Sequence, residues 1–287
     1  MMAYQTILVH IDDTPRCAAR IDLAANLASA GNAHLVGLYL PVLPADFAYP
    51  AINRQSLQAA LDRRTAPDRP HEQEARQKFE TAAARAGVPA EWRAPQGVPD
   101  DLAVLHARHA DLIVLGQHDQ QAPAAPVLER FNENLILASG RPVLVVPYTG
   151  PLPLRFGRVL IAWNGSRESA RAVGDAMPLL ERADHVSVAI IAPTTGEPRL
   201  DAPNAQALVD QLSRHGISST CEVIPVSHEV GVDKADAGEL LLTRAADVAA
   251  DLIVMGCYGH ARLRELVMGG VTRTLLRTMT VPTLLSH

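Results

Sequence analysis

Two hydrophobic rhythms alternate along this chain from end to end. Short apolar runs rich in β-branched residues read as strands buried on both faces, and between them apolar positions recur at helical spacing. In the first half the runs predict strands over Thr6–Ile11, His34–Leu40, Ala90–Ala94, Asp111–Leu115 and Pro142–Val146. Thr14 reads as an N-cap with Pro15 at the first helical position, and Ala18, Ile21, Ala25 and Ala28 form a core-facing stripe closed by Gly31. Further helices are predicted over His71–Ala86, Pro99–His109 and Val127–Leu137. In the second half, strands are predicted over Arg158–Trp163, Val186–Ile191, Thr220–Val226, the Asp251–Met255 run ended by Gly256, and Val281–Leu285. Ser166 caps a helix to about Ala183 in which Pro178 can introduce a kink, Ala205–His215 is a helix ended by Gly216, and Asp236 opens a capping box before a helix to Ala250. A last helix begins at Gly269, with Val271, Leu275 and Met279 on one face and Arg273 and Arg277 on another.

The pattern is written twice. Ala110–Gly116 matches Ala250–Gly256 at six of seven positions, an offset of 140, which also carries Pro142 onto Pro282. Ile7–Thr14 parallels Val159–Ser166 at an offset of 152. Pro147, Gly150, Pro151 and Pro153 mark the join, so the expected domains are residues 1–150 and 151–287. Strand and helix alternating through each copy imply α/β architecture, with a parallel sheet covered on both faces. Ligands of such sheets bind beyond the carboxyl ends of the strands where the order reverses. Residues 41–70 are an insertion in the first copy, bracketed by prolines, with a short amphipathic helix expected over Asn53–Arg64.

Candidate chemistry gathers near the end of the chain. Gly256 ends a strand, Gly259 follows after two residues, and Gly269 follows after nine more at a helix start. Bare first-turn amides and the positive end of the helix dipole suit an anion, and glycine lets it approach the backbone. Glycines placed this way also serve close packing.

Composition narrows the choices. With 287 residues, 48% hydrophobic and 20% charged, the chain is long enough for two globular domains. A net charge of −5 offers no basic face to nucleic acid or to an acidic membrane. No membrane span or leader is read in the sequence, and three scattered cysteines, Cys17, Cys221 and Cys257, suit a reducing cytoplasm. Cys257, in the glycine loop, is either an exposed thiol or an inert loop residue.

In this context Gly256, Gly259 and Gly269, followed by Gly270, Val271 and Thr272, resemble the glycine loop of universal stress proteins. The Asp-Leu-Ile-Val-Met-Gly lead-in and the Val-Pro ending match as well, and the resemblance covers both copies. It implies two tandem flavodoxin-like (Rossmann-like) domains, each a five-stranded parallel sheet of order 3-2-1-4-5. It also implies adenine nucleotide, ATP or AMP with or without magnesium, at the loop of the second copy. Carried across, Gly256, Gly259, His260 and Arg262 line the ribose and phosphate path. Gly269, Gly270, Val271 and Thr272 cap phosphates, Ala162 and Ile190 flank adenine, and Asn164 stands where the family commonly has Asp. Asn lacks the charge that favours a metal, and Gly270 lacks the family's Ser/Thr hydroxyl. The family resemblance further implies pairing of the two domains through their fifth strands as an intrachain pseudo-dimer, and association of chains into homo-oligomers.

The first copy departs from that loop. Asp119 and Glu129 stand at the second and third glycine positions with Arg130 beside them, so carboxylates would face phosphate and the backbone access is lost. Nucleotide is not expected there, and Asp12 reads as a relic of a binding acid. His106 and His109 sit three apart on a helix without a third metal ligand, and no metal site is expected. His228, Glu229 and Asp233–Asp236 lie in a loop near the expected crevice. The only lysines are Lys78 and Lys234, and no nucleophile elbow, zinc motif or lysine-bearing phosphate loop is present. The expectation is a cytoplasmic stress-response nucleotide-binding protein with no catalytic residues, hydrolysing ATP at most slowly. The alternatives are a nucleotide-free interaction scaffold, and a slow ATPase or hydrolase using the 228–236 loop.

Overall fold

A computed structural model of the chain describes residues 3–40, 69–121, 125–193, 205–226, 234–257 and 270–287. The predicted Asn53–Arg64 helix and most of the 228–236 loop lie outside these residues. The chain divides into two compact units, one spanning residues 3–154 and the other 155–287.

The first unit runs β1 (Thr6–Ile11), α1 (Cys17–Gly31), β2 (His34–Tyr39), α2 (Arg69–Ala86), β3 (Ala90–Arg93), α3 (Pro99–Ala107), β4 (Leu112–Gly116), α4 (Ala125–Ala138) and β5 (Val143–Val146). Its strands lie in the order β3-β2-β1-β4-β5, all parallel. The second unit runs β6 (Arg158–Ala162), α5 (Arg167–Leu180), β7 (His185–Pro193), α6 (Ala205–Arg214), β8 (Ser219–Val226), α7 (Lys234–Asp247), β9 (Leu252–Gly256), α8 (Gly270–Thr278) and β10 (Thr283–Ser286). Its order is β8-β7-β6-β9-β10, again parallel. Each sheet is therefore the flavodoxin-like 3-2-1-4-5 arrangement.

The repeat holds at the level of register. Ile7 lies opposite Leu112 in the first sheet, and their sequence counterparts Val159 and Leu252 lie opposite each other in the second. Strands β4, β5, β9 and β10 carry much of the core: Leu112, Val143, Leu252 and Leu284 are fully buried. Burial on both sheet faces is what an unbroken apolar run requires, and it explains why these strands do not alternate.

Local details depart from the predicted elements in instructive ways. Thr14 does not cap α1, which begins at Cys17 behind Arg16 with no side-chain cap. The Thr14 hydroxyl is spent instead on Asp12 Oδ1 at 2.5 Å, and its backbone N–H donates to the same oxygen at 3.0 Å. On α1 the predicted stripe holds at Ile21, Ala25 and Ala28, which are buried, but Ala18 is exposed and Cys17, Arg20 and Ala24 join the buried face instead. Gly31 is the last helical residue, and Asn32, at φ 53°, supplies the left-handed cap. Helix α7 begins at Lys234, two residues before the predicted cap Asp236, and Pro178 is accommodated within α5. Ser166 does cap α5, its hydroxyl oxygen accepting from Ser169 N at 3.1 Å. Along α8, Leu275 and, just past its end, Met279 are buried and Val271 is half-buried, while Arg273 and Arg277 are exposed, as the sequence periodicity predicts.

Candidate functional site

In the second unit the sheet order reverses between β6 and β9, where Ala162 lies opposite Met255. Ala162 is half-buried at the carboxyl end of its strand, and Ile190 is buried in β7, one residue beyond Ala162's neighbour Ala189. Asn164 is exposed and shapes the turn into α5, its Oδ1 accepting from Ser166 N at 3.1 Å. An Asx turn followed by a serine cap is a local way to satisfy amides at a strand-to-helix bend.

Gly256 touches the first turn of α5 directly. A Cβ at this position would lie 2.4 Å from both the Glu168 carbonyl carbon and the Ser169 nitrogen. Packing by itself therefore demands glycine here. The next residue, Cys257, is 1% exposed, and its thiol donates to the Ser286 carbonyl at 3.3 Å. Burial, with the charge of Glu168 adding to it, pushes the thiol up to about 12. The exposed-thiol alternative for Cys257 is thus corrected: the side chain is turned into protein, where a thiolate is disfavoured.

Helix α8 opens at Gly270, with Val271 half-buried and Thr272 only 3% exposed. The start of α8 is held by α7: a Cβ on Gly238 would stand 2.8 Å from Thr274 Cβ, so only glycine lets the two helices approach this closely. Ala162, Ile190 and Gly256 thus lie at one sheet edge, and Gly270, Val271 and Thr272 form the first turn of α8. Gly259, His260, Arg262 and Gly269 lie outside the described residues.

The corresponding end of the first unit is built differently. Asp12, just past β1, is 6% exposed and faces Arg20, which is 1% exposed. Arg20 Nη2 lies 2.9 Å from Asp12 Oδ1 in a buried ion pair. Arg20 Nε donates to the His10 carbonyl at 2.8 Å. Burial alone would raise the Asp12 carboxyl, but Arg20, then His10 and the two Thr14 hydrogen bonds, hold it down at about 2. Asp12 is therefore not a relic but the counter-ion of a buried arginine. Position 20 escapes sequence reading because arginine does not look like core. Its spacing from Cys17 and Ala24 on the buried stripe is the signal that was available.

His10 belongs to the same cluster. It is 4% exposed, contacts the Leu40 carbonyl through Nε2 at 3.1 Å, and packs at a tilt of 37° against the Phe131 ring, 4.8 Å between centroids. Burial lowers its pKa to about 4; Asp12 opposes the shift, Arg20 reinforces it and the Leu40 carbonyl opposes it. The folded chain thus keeps His10 neutral where the unfolded chain, near the ordinary 6.5, takes up a proton. Stability is then fully present above about pH 6.5 and falls as the pH drops towards 4, at up to ~1.4 kcal/mol per pH unit. Asp12, also depressed, adds a further loss between pH 3.8 and about 2. Urea unfolding at pH 7, 5.5 and 4.5 should show a steep loss in the wild-type chain and a shallower one in His10→Gln, which keeps a side-chain donor for Leu40. Equal slopes would remove His10 as the titrating group.

The remaining candidates are ordinary. His106 Nδ1 lies 3.4 Å from Arg93 Nη1, and His109 Nδ1 contacts the Leu105 carbonyl at 3.1 Å. Among the described residues no three His, Cys, Asp or Glu side chains gather as a metal site, and no helix is long and apolar enough to cross a membrane. Asp119 accepts from Gln121 N at 2.9 Å, and the Arg130 charge acts on Asp100 of α3. Asn132, the counterpart of Thr272, donates to the Gly116 carbonyl at 2.9 Å and so closes the end of β4.

Comparison with known proteins agrees with this architecture. The sequence pattern of the Universal stress protein family matches twice, over residues 3–147 and 155–287. Universal stress protein Slr1230 of Synechocystis sp. is 28% identical over 176 residues, which is 61% of this chain and 57% of that protein. The chain thus spans just over half the length of that curated relative. Among solved structures, a universal stress protein from Archaeoglobus fulgidus superimposes with a TM-score of 0.71 at 16% identity, covering 98% of this chain and 95% of its own. A functionally unknown protein from Pseudomonas aeruginosa PAO1 does so at 0.60 and 18%, covering 99% and 92%. At these identities the structures speak for the fold, and the two sequence matches decide the family: this chain belongs to the universal stress proteins, with two of the family's domains in tandem.

Proposed function

We propose that this chain is a stress-response protein that binds an adenine nucleotide, ATP or AMP, in its second unit and works as a sensor or protective factor rather than a turnover enzyme. The observation that carries the reading is the asymmetry between the two units. The second keeps glycine at 256, 259 and 269, while the first has Asp119 and Glu129 at the last two of these places. Ala162 and Gly256 at adjacent strand ends, with the first turn of α8 opening at Gly270, are the arrangement in which such a loop meets an anion. Ala162, Asn164, Ile190, Gly256, Gly259, His260, Arg262, Gly269, Gly270, Val271 and Thr272 are the proposed ligand residues. Magnesium would come with the nucleotide, since Asn164 offers no charge to hold it. The proposal includes work in the cytoplasm and association of chains into homo-oligomers.

The test is thermal stability with ATP, AMP and magnesium for the wild-type chain and for Gly269→Glu, which writes the first unit's Glu129 into the second. A ligand at one hundred times its Kd adds about 2.7 kcal/mol. The wild-type midpoint is expected to rise and that of Gly269→Glu to stay where it is. Equal rises would move the site elsewhere, and no rise in either would leave the second reading. That reading, a nucleotide-free interaction scaffold, is favoured by one specific observation: the α5 backbone already accounts for Gly256 without any ligand.

A further inference from the structure

At the reversal point of the first unit's sheet, the side chain of Arg20 is buried against the ends of the strands. Arg20 reaches from α1 to the carboxyl ends of β1 and β4, where it pairs with Asp12 and donates to the His10 carbonyl. Against β4 it takes the place of a missing side chain: a Cβ on Gly116 would stand 2.0 Å from Arg20 Nη1. The acid is prepared for this role, because Thr14 fixes its orientation through both backbone and hydroxyl.

The second unit shows what the same framework looks like without the arrangement. At the offset of 152, Asp12 becomes Asn164 and Arg20 becomes Ala172, which is fully buried. Both charges disappear together. The glycine counterpart, Gly256, then meets the backbone of α5 rather than an arginine. A leftover carboxylate would need no buried cation, whereas a bound cation explains the acid, the turn that orients it and the bare Cα opposite.

We infer that the first unit carries a guanidinium-binding site at the carboxyl ends of β1 and β4, made by the Asp12 carboxylate, the His10 carbonyl and the space over Gly116, with Arg20 as its tethered occupant. The chain supplies its own ligand to this unit. Any external molecule entering the crevice has to expel a charged group from a buried counter-ion, so the unit is closed by design of its charges and not only by the loss of loop glycines. The inference does not rest on nucleotide binding by the second unit.

Arg20→Ala removes the occupant and leaves room for ethylguanidinium, which reproduces the lost atoms. The variant's thermal midpoint is expected to fall by roughly 10 °C. Millimolar ethylguanidinium chloride is expected to restore several degrees to it, and ethylammonium chloride at the same concentration to restore none. Wild-type chain and the double variant Asp12→Asn, Arg20→Ala should respond to neither salt. Should Arg20→Ala fail to fold unaided, the comparison is the folded fraction recovered on refolding with each cation. Recovery with ethylguanidinium alone supports the site. Equal responses to the two cations, or none to ethylguanidinium, would overturn it.

Discussion

Asp12→Asn destabilises the first unit by about 3–5 kcal/mol, because it strands a buried guanidinium without its counter-charge. The substitution keeps an oxygen for the Thr14 hydrogen bonds, so the loss reports charge and not a broken turn. Arg20 has nowhere to go: it is 1% exposed and lies against the bare Cα of Gly116. The double variant Asp12→Asn, Arg20→Ala copies the second unit's Asn164 and Ala172 into the first. It should lose less than the two single variants added together, with a coupling of at least about 1 kcal/mol. Chemical unfolding of the four chains at pH 7, followed through the transition of the first unit, gives the coupling directly. Strict additivity would mean that the two charges do not act as a pair.

Gly256→Ala is the second change with a large expected cost. Its added methyl would sit 2.4 Å from backbone atoms of Glu168 and Ser169, which cannot rotate away as a side chain can. Relief requires the first turn of α5 to move, and overpacking of this kind costs about 1–3 kcal/mol. Gly174, on the exposed side of the same helix, has nothing within 4 Å of its Cβ position. Gly174→Ala should therefore stabilise by up to about 1 kcal/mol through helix propensity alone. The opposite signs of two glycine-to-alanine changes, read from urea midpoints, separate packing from backbone entropy. A neutral Gly256→Ala would show that α5 yields easily and would return the glycine to a purely ligand-directed role.

These two expectations follow from one architectural difference. Both units turn from their first strand into a helix across the end of their fourth strand, and both place a glycine there. In the second unit the glycine lets helix backbone close on the strand. In the first it makes room for a guanidinium, and a buried ion pair takes the place of the closer approach. A buried pair is weak support for stability on balance, but removing one member is costly, so the arrangement persists as a unit or not at all.

Element order, parallel sheets and the doubling of the fold were legible in the sequence, because a strand buried on both faces must be apolar throughout and a helix on a sheet must show a stripe. The register of Ile7 with Leu112 and of Val159 with Leu252 follows from the same repeats that the offsets reveal. The glycine spacing was legible as a pattern, but not which purpose each glycine serves. Thr14 read as a cap because Thr-Pro before a helix is a good local signal; a carboxylate two residues earlier outcompeted the helix for its hydroxyl. Ala18 falls on the apolar stripe by spacing yet is exposed, Arg20 is buried despite its charge, and the burial of the Cys257 thiol depends on what packs over it. The sequence by itself determined two like α/β units and the positions at which they differ. Only the tertiary structure decided what occupies the end of each sheet, because a charge on a helix becomes an internal ligand only where the fold brings it against an acid some residues away and a glycine on another strand.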